Sequence, residues 1–460
     1  MELLQEAQAV AAPIAEALRQ IAGHDADPAR LATQRLLDFH PRILVSGLCS
    51  VGKSSFVSAL WGDSDLLPTA VRDCTQTNTL IRQPEPTETD RTIRLAYLPH
   101  DKALQFATRG LAFHRLAELI AETLGPAGPR LEDLPPEERL RETVRITRKL
   151  FQENPRLYIL HEQLTDDLEM LEQFLAFIQS TAYRPGETQS ARWEDRREHL
   201  MGLRRPDGRT LETGRLLALE HVEILRATSK WDGDSTAVRP ELLDTPWIPA
   251  YHEARRTELI GAQARNADVL IAIALPLPFT FEDWVLRLFR ERPEILKRTI
   301  VLFNQADTID AAALFTRDGF ATVFQNNLEA LTKLGLDPAN VFLSCARLPF
   351  LEHAATLSSD PAIAERIVKL KQTLTRLRKQ ADGRPASAFT RQLVSACDPA
   401  DAGVEALRRR LGALSLGPVL AARVRELATA LEALPELNLP PELRERLRNL
   451  RRATLPPAPF

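Results

Sequence analysis

The sequence predicts an α/β protein, with a mostly parallel sheet, a large helical insertion and flanking helices at both ends. Three observations predict it. Short apolar runs recur at Ile43–Val45, His221–Leu225, Asp268–Ala274 and Thr299–Phe303, as in strands covered on both faces. Between 101 and 218 the period changes to three and four, and Leu164, Leu168, Leu171, Leu175 and Ile178 make a one-sided stripe. Gly47, Gly52, Lys53 and Ser54 fit G-x-x-x-x-G-K-[ST] between the first apolar run and a helical pattern opening at Phe56.

Composition bounds the rest. The 460 residues carry a net charge of −3, which gives no global pull toward nucleic acid or an anionic membrane. Cys49, Cys74, Cys345 and Cys397 are scattered without metal-ligand spacing and suit a reducing compartment. The start Met-Glu-Leu-Leu-Gln-Glu lacks the basic region of a signal peptide. The longest apolar run, Ala267–Phe279, is too short to span a bilayer and holds Pro276 and Pro278. A cytoplasmic location is expected, with peripheral contact at a membrane left open.

In chain order, Leu3, Leu4, Ala7, Val10, Ala11, Ile14 and Leu18 predict an N-terminal helix, and Leu31, Leu36 and Leu37 a second. The polar stretch Leu67–Asn78 reads as a loop, followed by strands over Thr79–Ile81 and Asp90–Leu98. After the helical block, His221–Leu225 and Glu241–Leu243 resume the strand pattern, and a helix is expected over 255–265. Asp268–Ala274, Thr299–Phe303 and Asn340–Ala346 complete the series, with a helix over 328–334 before the last. Residues 401–412 look like the last helix of the domain, and the tail adds a helix through Val424, Leu427 and Leu431 and a basic one over Leu443–Arg452. The expected division is a helical segment over 1–40, a nucleotide-binding domain over 41–100 and 219–415, the insertion over 101–218 and a helical tail over 416–460.

The motifs carry specific chemistry. Glycines let backbone N–H groups wrap a phosphate, and the following helix N-terminus adds positive partial charge. Lys53 reaches the outer phosphates and the Ser54 hydroxyl is placed to ligate Mg²⁺. Thr75, in the loop after the first helix, is the candidate that completes the metal shell, with Thr77 second. Asp244, ending an apolar strand, is placed to hold Mg²⁺ through water. Asn304-Gln305-Ala306-Asp307 ends another strand, where the Asp307 carboxylate can accept from the guanine N1–H and 2-amino group, which adenine cannot offer. Ser344 and Cys345, in a small-residue turn, could offer backbone N–H groups to the guanine oxygen; Val394–Cys397 is a rival match that βαβ order disfavours.

Together these motifs resemble those of the dynamin superfamily of GTPases, particularly its bacterial dynamin-like members. The resemblance rests on Gly52-Lys53-Ser54-Ser55, on Pro68 followed seven residues later by Thr75, and on Ser344-Cys345-Ala346-Arg347 with Gly403-Val404-Glu405-Ala406-Leu407. It covers about residues 42–82 and 221–412. It implies a phosphate-binding-loop GTPase domain that binds GTP or GDP with Mg²⁺, with Gly47, Ser50, Gly52, Lys53, Ser54, Ser55, Asn304, Asp307, Ser344 and Cys345 around the nucleotide. Ser50, Lys53 and Thr75 would take the catalytic roles, and Ser54, Thr75 and Asp244 the metal. The resemblance also implies a homodimer through these domains and leaves open a peripheral membrane or protein partner; no nucleic acid partner is expected. Three positions depart from the pattern: Cys49 stands where dynamins often carry a glutamine, Trp247 where a glycine is usual, and Gln305 where a lysine is usual. Cys49 and Trp247 favour an alternative, a nucleotide-gated binding module with little or no hydrolysis.

Overall fold

The computed structural model describes residues 2–21, 26–47, 51–67, 78–85, 87–125, 128–155, 162–195, 199–200, 203–204, 210–211, 214–228, 240–245, 267–276, 289–290, 293–312, 325, 328–329, 331–382, 393–394, 397–434 and 437–454. The strands are β1 (Arg42–Gly47), β2 (Thr79–Arg82), β3 (Thr92–Tyr97), β4 (Thr188–Ala191), β5 (Leu203–Arg204), β6 (Thr210–Leu211), β7 (Leu219–Leu225), β8 (Glu241–Asp244), β9 (Val269–Ala274), β10 (Thr299–Phe303) and β11 (Val341–Leu343). Nine of them form one sheet in the order β11-β10-β9-β1-β8-β2-β7-β3-β4, and β5 and β6 pair separately. Five of the eight pairings in the large sheet are parallel, and the three antiparallel ones are β8–β2, β7–β3 and β3–β4.

Alternation along the central strands explains why both faces are covered. Ile43 and Val45 of β1, Ile271 and Ile273 of β9, and Ile300 and Leu302 of β10 enter one core. Leu44, Leu270, Val301 and Phe303 point the other way into a second. Successive strand side chains face opposite sides, so an uninterrupted apolar run demands a layer on each face.

The first core is covered by α1 (Glu2–Arg19), α2 (Asp27–Leu37) and α3 (Lys53–Trp61), the helix after the phosphate-loop motif. Leu3 and Leu31, which fit the helical period, face solvent at 45% and 53% exposure, so the buried stripes are narrower than the apolar pattern. The 101–218 block supplies α4 (His100–Thr108), α5 (Leu111–Leu124), α6 (Pro136–Glu153) and α7 (Glu162–Ile178). It also supplies β4, which pairs antiparallel with β3 and puts part of the block into the main sheet. The second core is closed by α8 (Arg347–Leu357) and α9 (Pro361–Asp382) through Leu348, Leu370, Leu374 and Leu377.

Two long helices follow, α10 (Val404–Glu432) and α11 (Pro441–Ala453). The expected break near 412–416 is absent: α10 is one helix of 29 residues, held by buried Leu407, Leu411, Leu420, Val424 and Leu427. It packs on α2 and α11, and α11 on α1, so the two chain ends pair. Arg446 of α11 meets Glu6 of α1 at 3.0 Å. The join to the sheet is Arg423, 6% exposed, which bonds Asp268 at 2.5 Å and the carbonyls of Arg35 and His40 at 2.6 and 2.9 Å. Its guanidinium also stacks 4.9 Å from the Phe39 ring. Among the described residues no helix is long and apolar enough to cross a membrane.

Candidate nucleotide site

The site gathers at the carboxyl ends of neighbouring strands, where open α/β sheets leave a crevice for ligands. Register fixes this. Val45 of β1 is paired with Asp244 of β8, and Gly47 with Ile273 of β9. Phe303 of β10 lies between Ala274 and Leu343. Gly47, Asp244, Asn304 and Ser344 therefore leave the sheet along one edge, though the last is almost three hundred residues from the first.

The loop between β1 and α3 is tight by construction. Gly52, the residue before the helix, sits at φ +83°, and a Cβ there would lie 2.7 Å from the Asn304 amide nitrogen. A Cβ on Gly47 would lie 2.5 Å from the Ile273 carbonyl oxygen. Both positions require glycine, one for handedness and closeness, the other for closeness alone. The Lys53 ammonium turns back over the loop and donates to the Gly47 carbonyl at 3.0 Å. The Ser54 hydroxyl lies 3.4 Å from Asp244 Oδ2, and the aspartate is wholly buried. Ser55 follows in the first turn of α3.

Asn304 ties this loop to the opposite wall. It is 2% exposed; its amide NH₂ donates to the Val51 carbonyl at 2.8 Å and its oxygen accepts from the Ala346 N–H at 3.0 Å. Gln305 takes the left-handed conformation at φ 65°, and the short 3₁₀ turn Ala306–Thr308 then carries Asp307. The Asp307 carboxylate accepts from the Cys345 thiol at 3.1 Å and has Arg347 at 3.6 Å. Burial, followed by the neighbouring Asp307 charge, pushes the Cys345 thiol well up, so it stays a proton donor. The Cys345 N–H donates to the Ala402 carbonyl at 3.2 Å, and Ser344 is wholly buried with its N–H on Phe303 at 2.7 Å.

The structure thus brings together Gly47, Gly52, Lys53, Ser54, Ser55, Asp244, Asn304, Asp307, Ser344 and Cys345. Ser50 and Thr75 lie outside the described residues, as do Cys49, Thr77 and Trp247 and the helix expected over 255–265. Ser54 and Asp244 offer oxygen donors only, the kind a hard divalent cation such as Mg²⁺ takes, and the glycines at Gly47 and Gly52, with no room for a Cβ, suit close approach of a phosphate. Sequence reasoning missed two contributors. Ala402, before α10, holds the Ser344–Cys345 turn, and Arg408 of α10 donates to the Ala59 and Leu60 carbonyls at 2.7 and 2.9 Å, capping the end of α3. Nothing local in the sequence marks either contact.

No protein-family model and no curated protein matches the chain. Two similar solved structures are both described as an oligomerised bacterial dynamin pair that provides a mechanism for the long-range sensing and tethering of membranes. The first shares 11% identity at a TM-score of 0.35, covering 98% of this chain and 64% of that one. For the second the identity is also 11%, the TM-score 0.36 and the shares 98% and 60%. The chain spans less than two thirds of the length of either. Superposition at this level leaves activity, substrates and partners to be argued from the residues themselves.

Proposed function

We propose that the chain binds guanine nucleotides with Mg²⁺ and hydrolyses GTP, in the manner of a dynamin-like GTPase. The observation that carries this is the convergence of Gly52, Lys53, Ser54, Asp244, Asn304 and Asp307 on one sheet edge, from segments far apart in sequence. In this reading the loop N–H groups and Lys53 hold the phosphates, Lys53 exchanging the Gly47 carbonyl for a phosphate oxygen. Ser54, Asp244 through water, and Thr75 hold the metal, which would neutralise charge on the phosphates. Asp307 accepts from the guanine edge, and Asn304 braces the loop against the base-side turn. A water attacks the γ-phosphate in line, with Ser50 and Thr75 beside it. Titration with a fluorescent GTP analogue tests the assignment: Lys53→Ala should abolish binding, and unchanged affinity would sink it.

A second reading, a nucleotide-gated binding module with little hydrolysis, is favoured by Cys49, because a thiol is a poor partner for positioning water, and by Trp247. Single-turnover hydrolysis at rising protein concentration separates the two. A rate that climbs supports a GTPase activated by dimerisation, and a flat near-zero rate supports the module. Contact with a membrane belongs to the same proposal through the motif resemblance. Liposome co-sedimentation with GTP, GDP and no nucleotide tests it.

A further inference from the structure

At the other end of the sheet lies a cavity of about 430 Å³, within the size range of small-molecule sites. Its floor is the edge of the sheet, where Leu95 and Tyr97 lie on one face of β3 and Leu95 is paired with Gln189 of β4. Phe177, in the last turn of α7, forms a wall, its ring centroid 5.9 Å from that of Tyr97. His199 and Arg215 close the inner side, and exposed Arg184 stands at the mouth. From β1 the sheet order runs through β8, β2 and β7 to β3, four spacings of ~4.8 Å or roughly 19 Å. The cavity is separate from the nucleotide site.

Arg215 is the unusual group. Its Nε and Nη2 are sealed from solvent and meet no hydrogen-bond acceptor among the described residues. It is carried on the short turn Gly214–Ala218, seated directly on α7: a Cβ on Gly214 would lie 2.4 Å from the Met170 carbonyl oxygen. The backbone that carries Arg215 is thus held against α7, and the side chain itself is half-buried. Two guanidinium N–H donors shut off from water without an acceptor cost stability unless something supplies one. The nearby carboxylate, Asp195, is engaged with Arg192 at 2.9 Å. His199 does not supply negative charge; burial first, then the Arg215 charge, holds its pKa down to about 4, so at neutral pH its ring is uncharged.

We propose that this cavity binds a small carboxylate with an aromatic or apolar body, the carboxylate taken by the Arg215 guanidinium and the body lying against Tyr97 and Phe177. Guanidinium and carboxylate match as planar two-pronged partners, and the aromatic walls favour a flat hydrophobic body. Such a ligand would satisfy the two Arg215 donors that meet no acceptor among the described residues.

Calorimetric titration of the full chain with 2-naphthoate tests this, with 2-naphthalenemethanol as the neutral counterpart. Saturable binding of one naphthoate per chain is expected, at least tenfold tighter than the alcohol. Arg215→Gln should weaken naphthoate at least tenfold and leave nucleotide affinity unchanged. Without ligand, Arg215→Gln should melt at or above the wild-type temperature, because it removes sealed donors that lack an acceptor. Absence of saturable naphthoate binding, equal affinity for acid and alcohol, or unchanged binding in Arg215→Gln overturns the proposal. A marked fall in the melting temperature of Arg215→Gln overturns it too, since that would mean the guanidinium already has a partner.

Discussion

Replacing Asn304 by alanine should loosen the phosphate loop and the base-side turn in one stroke. The side chain is 2% exposed and makes two bonds, to the Val51 carbonyl at 2.8 Å and from the Ala346 N–H at 3.0 Å. Val51 and Ala346 are themselves wholly buried, so truncation leaves both backbone groups without water to replace the amide. Each unsatisfied buried group costs about 1–3 kcal/mol, so the pair costs about 2–6 kcal/mol before relaxation. Relaxation of the loop brings the expected loss toward the lower half, about 3 kcal/mol. Urea denaturation reads this directly: with a slope of roughly 3 kcal/mol per molar, the midpoint falls by about 1 M. Nucleotide affinity, followed by titration with the fluorescent GTP analogue, should fall with it, because the loop loses its brace. A variant with the wild-type midpoint and the wild-type affinity would refute the reasoning, since the two bonds would then hold nothing that matters.

Four further outcomes follow from the same geometry. Gly52→Ala combines a left-handed φ of +83° with a Cβ 2.7 Å from Asn304. It should cost at least about 1–2 kcal/mol by thermal denaturation and weaken GTP at least about tenfold. Asp307→Asn exchanges an acceptor for a donor, so GTP should weaken at least about tenfold while xanthosine triphosphate, with a carbonyl in place of the 2-amino group, gains in competition assays. Glu88 is held down to about 2 chiefly by its bond to Arg82, with Arg94 and the Glu85 N–H contributing. Its folded-state value is depressed, so the stabilisation is full above about pH 4.5 and is lost as pH falls toward 2. The urea midpoints of wild type and Glu88→Gln should therefore differ at pH 6 and converge in acid. Arg408→Ala frees the Ala59 and Leu60 carbonyls at the end of α3 and should lower the midpoint by about 1–3 kcal/mol equivalent without changing guanine selectivity.

The central fold was legible because its signals are local. Val269–Ala274 and Thr299–Phe303 are buried at every position, and a run of that kind has few alternatives to an inner strand. The glycine, lysine and serine spacing placed the loop, and strand order placed Asp244 and Asp307. The edge was less readable. Thr-Gln-Ser-Ala of β4 is half exposed and polar, so it carries no strand signature apart from its partner β3. Gly412, Gly417 and Pro418 punctuate the sequence of α10, yet leucines on either side pack well enough to carry the helix through. The role of Asn304 was half visible. Its place at the end of a strand follows from the motif, whereas its bond to Val51 spans 253 residues and no local pattern encodes it. Arg215 was invisible for the same reason: an arginine becomes unusual only when its N–H groups are sealed without an acceptor among the described residues.

The long helix α10 starts where the base-side turn is held, through Ala402 and Cys345, and its second turn grips the end of α3 through Arg408. Farther along, Arg410 reaches Asn340 ahead of β11, and Arg423 reaches Asp268 ahead of β9. Beyond Arg423 the helix leaves the sheet and carries α11 and, through it, α1. Its 29 residues span roughly 43 Å at ~1.5 Å per residue, and Arg423 fastens it again roughly 28 Å from its start. In mechanical terms the helix is a tie rod, fastened near its start and again at Arg423, that holds the paired chain ends to the strands carrying the candidate site.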